Sequence, residues 1–186
     1  VPDAPSLNFG SGSITYECWF LKPSSSHNQQ TNLITNYQTS TVPHFGLLIG
    51  GSIQGSNEGK LIVTYSTNSP GTQIEHYSTN RVDDNKWHHV ALVKNIATDS
   101  IHLYLDGVLD SRKNVVVGNC DTYQGLIFGS GHLGRFMNTQ MDEIRVWNTT
   151  LTQSEIQNYI SCPPMGNEAG LVGYWNFNQG TGGTVT

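Results

Sequence analysis

The amino-acid sequence predicts an all-β sandwich of two antiparallel sheets with one short helix, and three observations carry that expectation. Residues 13–21, SITYECWFL, set Ile14, Tyr16, Cys18 and Phe20 in alternation with Thr15, Glu17, Trp19 and Leu21. This is the period of a strand, whose successive side chains face opposite ways. Short runs of the same kind recur along the chain between Gly-, Pro- and Asn-rich turns, the spacing of a sandwich. A single segment, opening at Thr152, carries helix-start chemistry.

The elements follow in order. Lys22-Pro23 closes the first strand, and a polar loop follows (residues 24–31, SSSHNQQT). Residues 33–37, 45–49, 60–65 and 73–77 read as short strands, punctuated by Gly50-Gly51 and Ser69-Pro70-Gly71. Residues 87–94 (WHHVALVK) and 101–105 are the most regular pair. Asp106-Gly107 after them favours a tight hairpin, because such a turn requires positive φ. Residues 115–117, 125–129 and 143–147 complete the strands. Thr152 and Glu155 have the spacing of a capping box, with Leu151 and Ile156 placed as a hydrophobic staple. Ile156, Tyr159 and Ile160 form one apolar face, and Cys162-Pro163-Pro164 stops the helix. It is expected to pack on a sheet edge. The expected core comprises Ile14, Tyr16, Cys18, Phe20, Val90, Leu92, Leu103, Leu105, Ile144 and Val146.

Composition narrows the function. The 186 residues suit one domain, only 12% are charged, and the net charge is −5. No Lys/Arg cluster is present to displace counterions from a nucleic acid. No apolar run reaches the roughly 18 residues that span a bilayer. The chain opens at Val1 rather than Met, as expected of a processed or excised piece. Of the three cysteines, Cys18 reads as a small core residue. Cys120 and Cys162 both lie in turn-rich segments, so either they are bridged or all three thiols are free.

The motifs WHHVALVK, IHLYLDG and MDEIRVWNTTLTQSEI, with the opening DAPSLNFGSGSITYECWF, resemble the laminin-G-like family of the concanavalin A-like lectin/glucanase superfamily. The resemblance covers nearly the whole chain and implies a jelly-roll β-sandwich. Its motifs are framework motifs, which specify fold strongly and ligand weakly. Residues 1–178 are expected to form the domain, and 179–186 a linker or the start of a following module. The linker CPPMGNEAG resembles those of large exported proteins, which implies a secreted or cell-surface protein with neighbouring modules. Residues 171–177, LVGYWNF, are expected to fold back as a strand of this same sandwich.

Glycosidases of related jelly rolls place carboxylates at alternate strand positions, about 5–5.5 Å apart for retention. No such pair occurs within an expected strand. Asp83-Asp84 and Asp142-Glu143 are neighbours, and in extended chain they point to opposite faces. The chain is therefore expected to be non-catalytic. His88 and His89 likewise diverge and are expected to be packed or edge histidines. The resemblance implies a structural calcium held by Asp142 and the turn Gly10-Ser11-Gly12, with Gly12 as a carbonyl ligand. The two-calcium ligand site of pentraxins is not expected, because residues 129–139 lack a carboxylate.

Sugar sites need an aromatic face and hydrogen-bonding side chains. The loop-borne candidates are Tyr37, His44, Tyr77, Tyr123, His132 and Arg135. The leading expectation is a carbohydrate-binding or adhesion module taking a polysaccharide or glycan. The alternatives are a structural spacer and a laminin-G-like domain that binds an extracellular protein.

Overall fold

A computed structural model describes residues 1–24, 30–36, 44–66, 73–121, 125–131, 135–136 and 138–179. The strands are β1 (Ile14–Leu21), β2 (Thr31–Thr35), β3 (Phe45–Ile49), β4 (Lys60–Ser66), β5 (Gln73–Arg81), β6 (Trp87–Asn95), β7 (Ser100–Leu105), β8 (Val108–Asn114), β9 (Ile127–Phe128), β10 (Ser130–Gly131), β11 (Arg135–Phe136), β12 (Gln140–Trp147) and β13 (Leu171–Trp175). One α-helix, α1 (Gln153–Ser161), lies between the last two. A six-stranded sheet runs β13-β12-β1-β6-β7-β8 and a five-stranded sheet runs β5-β4-β3-β2-β9, with β10 and β11 forming a separate ribbon. The chain is an antiparallel jelly-roll sandwich.

The core is the space between the two sheets. Ile14, Tyr16, Cys18 and Phe20 of β1 meet Leu33, Phe45, Leu47, Leu61, Val63 and Tyr65 of the facing sheet, all fully buried. The Tyr16 and Phe45 rings lie 5.6 Å apart. Every expected core position is fully buried except Leu105, which is partly buried against the same cluster.

The outer face of the six-stranded sheet is covered as well. Ala91, Val93, Tyr104 and Trp147 form a second apolar cluster with Leu151 and Ile156, and Tyr159, Ile160 and Leu171 pack on it. The Trp147 and Tyr159 rings stack at 4.9 Å. The helix therefore lies across β12, β6 and β7 rather than on a sheet edge as expected. Strands with apolar side chains on both faces need a cover on both, and an edge position would leave this cluster wet. The caps form as read: Glu155 N–H donates to Thr152 Oγ1, and Thr152 N–H donates to Glu155 Oε2 at 2.7 Å. Gln157 Nε2 donates to the Gly107 carbonyl, tying the helix to the β7–β8 hairpin. In that turn Asp106 and Gly107 have φ of 50° and 76°, the paired left-handed conformation a two-residue hairpin requires.

Two further expectations need correction. The strand after the hairpin is β8, at Val108–Asn114 rather than at 115–117. Its sequence, VLDSRKN, is mostly polar because it lies at the edge of the sheet, so it carries little apolar alternation to read. Val115 and Val117 pack against the core from irregular chain. The bridged alternative for Cys120 and Cys162 also does not hold, since both thiols are free. Cys120 is buried with its Sγ 3.4 Å from Lys94 Nζ, while Cys162 is exposed where the helix ends.

Residues 171–175 do fold back as a strand. β13 pairs with β12, matching Ile144 with Trp175 and Val146 with Gly173. Trp175 packs edge-on against Phe128 of the other sheet at 4.8 Å, so this strand helps close the sandwich. A chain ended at Gly170 is expected to melt at a lower temperature than the full chain or to aggregate; equal melting temperatures would show that β13 contributes no stability. Trp175→Ala, which removes only the ring, is expected to cost about 2 kcal/mol in urea unfolding.

Candidate functional site

The site begins with a mismatch between two strands. β1 and β12 pair Glu17 with Arg145 and Trp19 with Asp142, so Glu143 and Ile144 together oppose Cys18 alone. This is a β-bulge, and Glu143 within it has φ of 51°. A bulge breaks the period of two and re-aims side chains, and a non-glycine residue held at positive φ stores strain of a kind that gathers at functional sites. Ile144 points into the core. Asp142 and Glu143 both reach the outer face. The expectation that these neighbouring carboxylates diverge is thereby overturned, because it assumed an unbroken strand.

The two carboxylates line an open cavity of about 300 Å³ with Trp19 and Trp87. Trp19 lies across from Asp142 on one side and from His89 on the other. Trp87, at the start of β6, is 42% exposed. Asp142 Oδ1 accepts from the Glu143 amide at 2.8 Å. Glu143 Oε2 accepts from Arg145 Nη2 at 2.7 Å and from the Tyr174 hydroxyl at 2.6 Å. Burial and the hydrogen bond to Glu143 push the Tyr174 phenol up to about 12. Arg145 is fully buried, donates to the Tyr159 carbonyl and lies over the Tyr174 ring. Helix α1 and strand β13 thus anchor the wall of the cavity.

Glu17, His89 and Trp147 lie beneath, all fully buried. Trp147 Nε1 donates to Glu17 Oε2 at 2.8 Å. His89 Nε2 stands 3.5 Å from Glu17 Oε1, and Trp19 packs edge-on over the His89 ring at 5.5 Å. Burial raises the Glu17 carboxyl to about 7, an effect only partly offset by Arg145 and the Trp147 hydrogen bond. Burial, helped by Arg145, lowers His89 to about 3. Near pH 5 to 6 the two face each other as neutral groups, not as an ion pair. His88 points the other way and bridges Asp84 and Asp106 at 3.0 and 2.9 Å.

The residues expected to bind ligand are distributed differently. Tyr37, Tyr123 and His132 lie outside the described residues, and so does the side chain of Arg135, whose backbone belongs to β11. His44 and Tyr77 come to one face of the five-stranded sheet, but neither sits on a loop tip. His44 is buried, with its ring nitrogens 2.9 Å from Thr64 Oγ1 and from Ser66 Oγ. Tyr77 lies in β5 and donates to Glu75, which also accepts from Gln30. The calcium pair is not assembled either. Asp142 is level with Trp19, whereas Gly12 precedes the far end of β1. Seven residues of extended chain separate the two levels by roughly 20 Å, so one ion cannot touch both. Among the described residues no group of three or more His, Cys, Asp or Glu side chains is placed to hold a metal. Trp19 and Trp87 were missed because both read as strand framework; β1, which carries Trp19, stands between Trp87 on β6 and the acidic pair on β12.

The buried acid generates a pH-dependent expectation. Glu17 titrates at about 7 when folded and near its usual 4.5 when unfolded, so the native state holds its proton longer. The associated stability is present below pH 4.5 and is lost as pH rises through 7. Glu17→Gln keeps an acceptor for Trp147 without that loss. It is expected to raise stability at pH 8 by about 2 kcal/mol more than at pH 5, as read by urea unfolding at the two pH values.

Comparison with known proteins places this site within a fold family. Among solved structures the chain is similar to a candidate carbohydrate-binding protein from Bacteroides ovatus, at 21% identity and TM-score 0.74, covering 95% of this chain and 49% of that one. It is similar to the binding domain of botulinum neurotoxin DC solved with rat synaptotagmin II, at 13% identity and TM-score 0.64, over 90% of this chain and 40% of that one. It is also similar to a structure of botulinum neurotoxin type C whose cell entry depends on two ganglioside molecules, at 13% identity and TM-score 0.60, over 84% and 37%. At these identities the likeness is one of fold, and the chain spans about half or less of each of these structures. A search of curated proteins finds no significant sequence match. The laminin-G family described as the concanavalin A-like lectin/glucanases superfamily matches residues 2–157, and the chain belongs to that family.

Proposed function

We propose that this chain is a non-catalytic glycan-binding module of a secreted or cell-surface protein, and that its ligand site is the cavity between Trp19, Trp87, Asp142 and Glu143. The observation that carries the reading is the bulge, which turns two consecutive carboxylates toward two indoles on one face. An indole offers a flat apolar surface to the C–H face of a pyranose. Carboxylate oxygens accept hydrogen bonds from its hydroxyls. The fold likeness to a candidate carbohydrate-binding protein and to a ganglioside-dependent toxin supports the same class of ligand.

The hydrogen bonds on the two carboxylates favour binding over turnover. A retaining or inverting glycosidase needs one carboxylic acid free to protonate the leaving oxygen. Glu143 Oε2 is already shared between Arg145 and Tyr174, and Asp142 Oδ1 holds the Glu143 amide. Both carboxylates are positioned as acceptors.

A glycan array, followed by titration of intrinsic tryptophan fluorescence, tests the reading. Trp87 is exposed, so Trp87→Ala is expected to leave the melting temperature within a few degrees and to weaken binding at least tenfold. A blank array would favour a spacer or a protein-binding laminin-G-like domain. Incubation with β-glucans, agars and alginates is expected to release no reducing ends. Turnover abolished by Asp142→Asn or Glu143→Gln would make the module an enzyme.

A further inference from the structure

Asp142 has no cationic partner among the described residues. Its Oδ1 accepts from the Glu143 amide, and no ion pair to it is formed by a described lysine, arginine or histidine. Arg145, a buried cation on the same strand, is occupied by Glu143 and the Tyr159 carbonyl. Lys86, beside Trp87 in sequence, holds Asp84 at 3.0 Å. Below the cavity lie Glu17 and His89, of which the first is neutral or negative and the second is held neutral by burial. Arg145 apart, the described titratable groups on or under the cavity are acids and one histidine, and the walls are two indoles.

That combination fits one kind of ligand better than a neutral sugar. The negative face of an indole attracts a cation, most strongly for tryptophan. A carboxylate that loses water without gaining a counter-charge makes binding less favourable. A neutral pyranose covers Asp142 without neutralising it, and an ammonium group does both. Resting on the glycan reading above, we infer that the ligand is an amino sugar carrying a free, protonated amine, with its ring on the indoles and its ammonium held by Asp142.

The test compares three trisaccharides of the same β-1,4 linkage by calorimetry: glucosamine, N-acetylglucosamine and glucose. The glucosamine trimer is expected to bind at least tenfold tighter than either neutral trimer. The advantage is expected to shrink as salt rises, since the contact is partly exposed. Asp142→Asn keeps the acceptor for the Glu143 amide and is expected to make the three trimers equal. Trp87→Ala is expected to weaken all three, and glucosamine binding that survives it would be nonspecific attraction to an acidic protein and would overturn the inference. So would equal affinities in the parent protein, or an amine preference that persists in Asp142→Asn. If the neutral trimers bind as well as the amine, the inference falls and the glycan reading stands. If no trimer binds and the array is blank, both fall.

Discussion

Strand β1 is buried on both of its faces, and most of the molecule answers to that constraint. Its inner residues, Ile14, Tyr16, Cys18 and Phe20, need the five-stranded sheet above them. Its outer residues Thr15 and Glu17 are just as deeply buried, and water must be replaced there by protein. The turn that leads into helix α1 does this over Thr15: Leu151 N–H donates to the Thr15 hydroxyl, which itself donates to the Thr149 carbonyl. Trp147 and Arg145 do it over Glu17. The helix is a cover whose position is set by what it must keep dry.

Covering that face buries polar groups, and the energetics of the site follow. Glu17 Oε1, both ring nitrogens of His89 and Arg145 Nε have no hydrogen-bond partner. Each such group in an apolar setting costs stability, and the neutral states of Glu17 and His89 reduce that cost by avoiding buried charge. A polar cluster kept at this expense directly under a cavity is better explained by the cavity than by packing, which an apolar cluster would serve at lower cost.

The cavity lining falls within the family match, but part of what braces it does not. The match covers residues 2–157, the framework of both sheets and the start of the helix. β13 and Tyr174 lie beyond it, yet Tyr174 holds Glu143 and Trp175 closes the sandwich against Phe128. The segment that braces the site is thus outside the motifs by which the family is recognised. This is consistent with framework motifs being informative about fold and nearly silent about ligand.

The alternation in β1, the paired positive φ of Asp106-Gly107 and the caps of α1 were all legible in the sequence, because each is a local rule acting within a few residues. The edge strand β8 was not, since an edge strand has little apolar surface to advertise. Nor was the site. Between its pairings with Thr15 and Leu21, β12 runs from Trp147 to Gln140, one residue more than β1 spends on the same span. That surplus forces the bulge, turns Glu143 beside Asp142 and shapes the cavity. It exists in neither strand alone. The burial of His89, the distance from Asp142 to Gly12 and the separation of Cys120 from Cys162 are likewise products of the tertiary structure. Local sequence determined which segments become strands, helix and turns; only the tertiary register decided which side chains meet, because a one-residue offset between paired strands redirects every side chain beyond it.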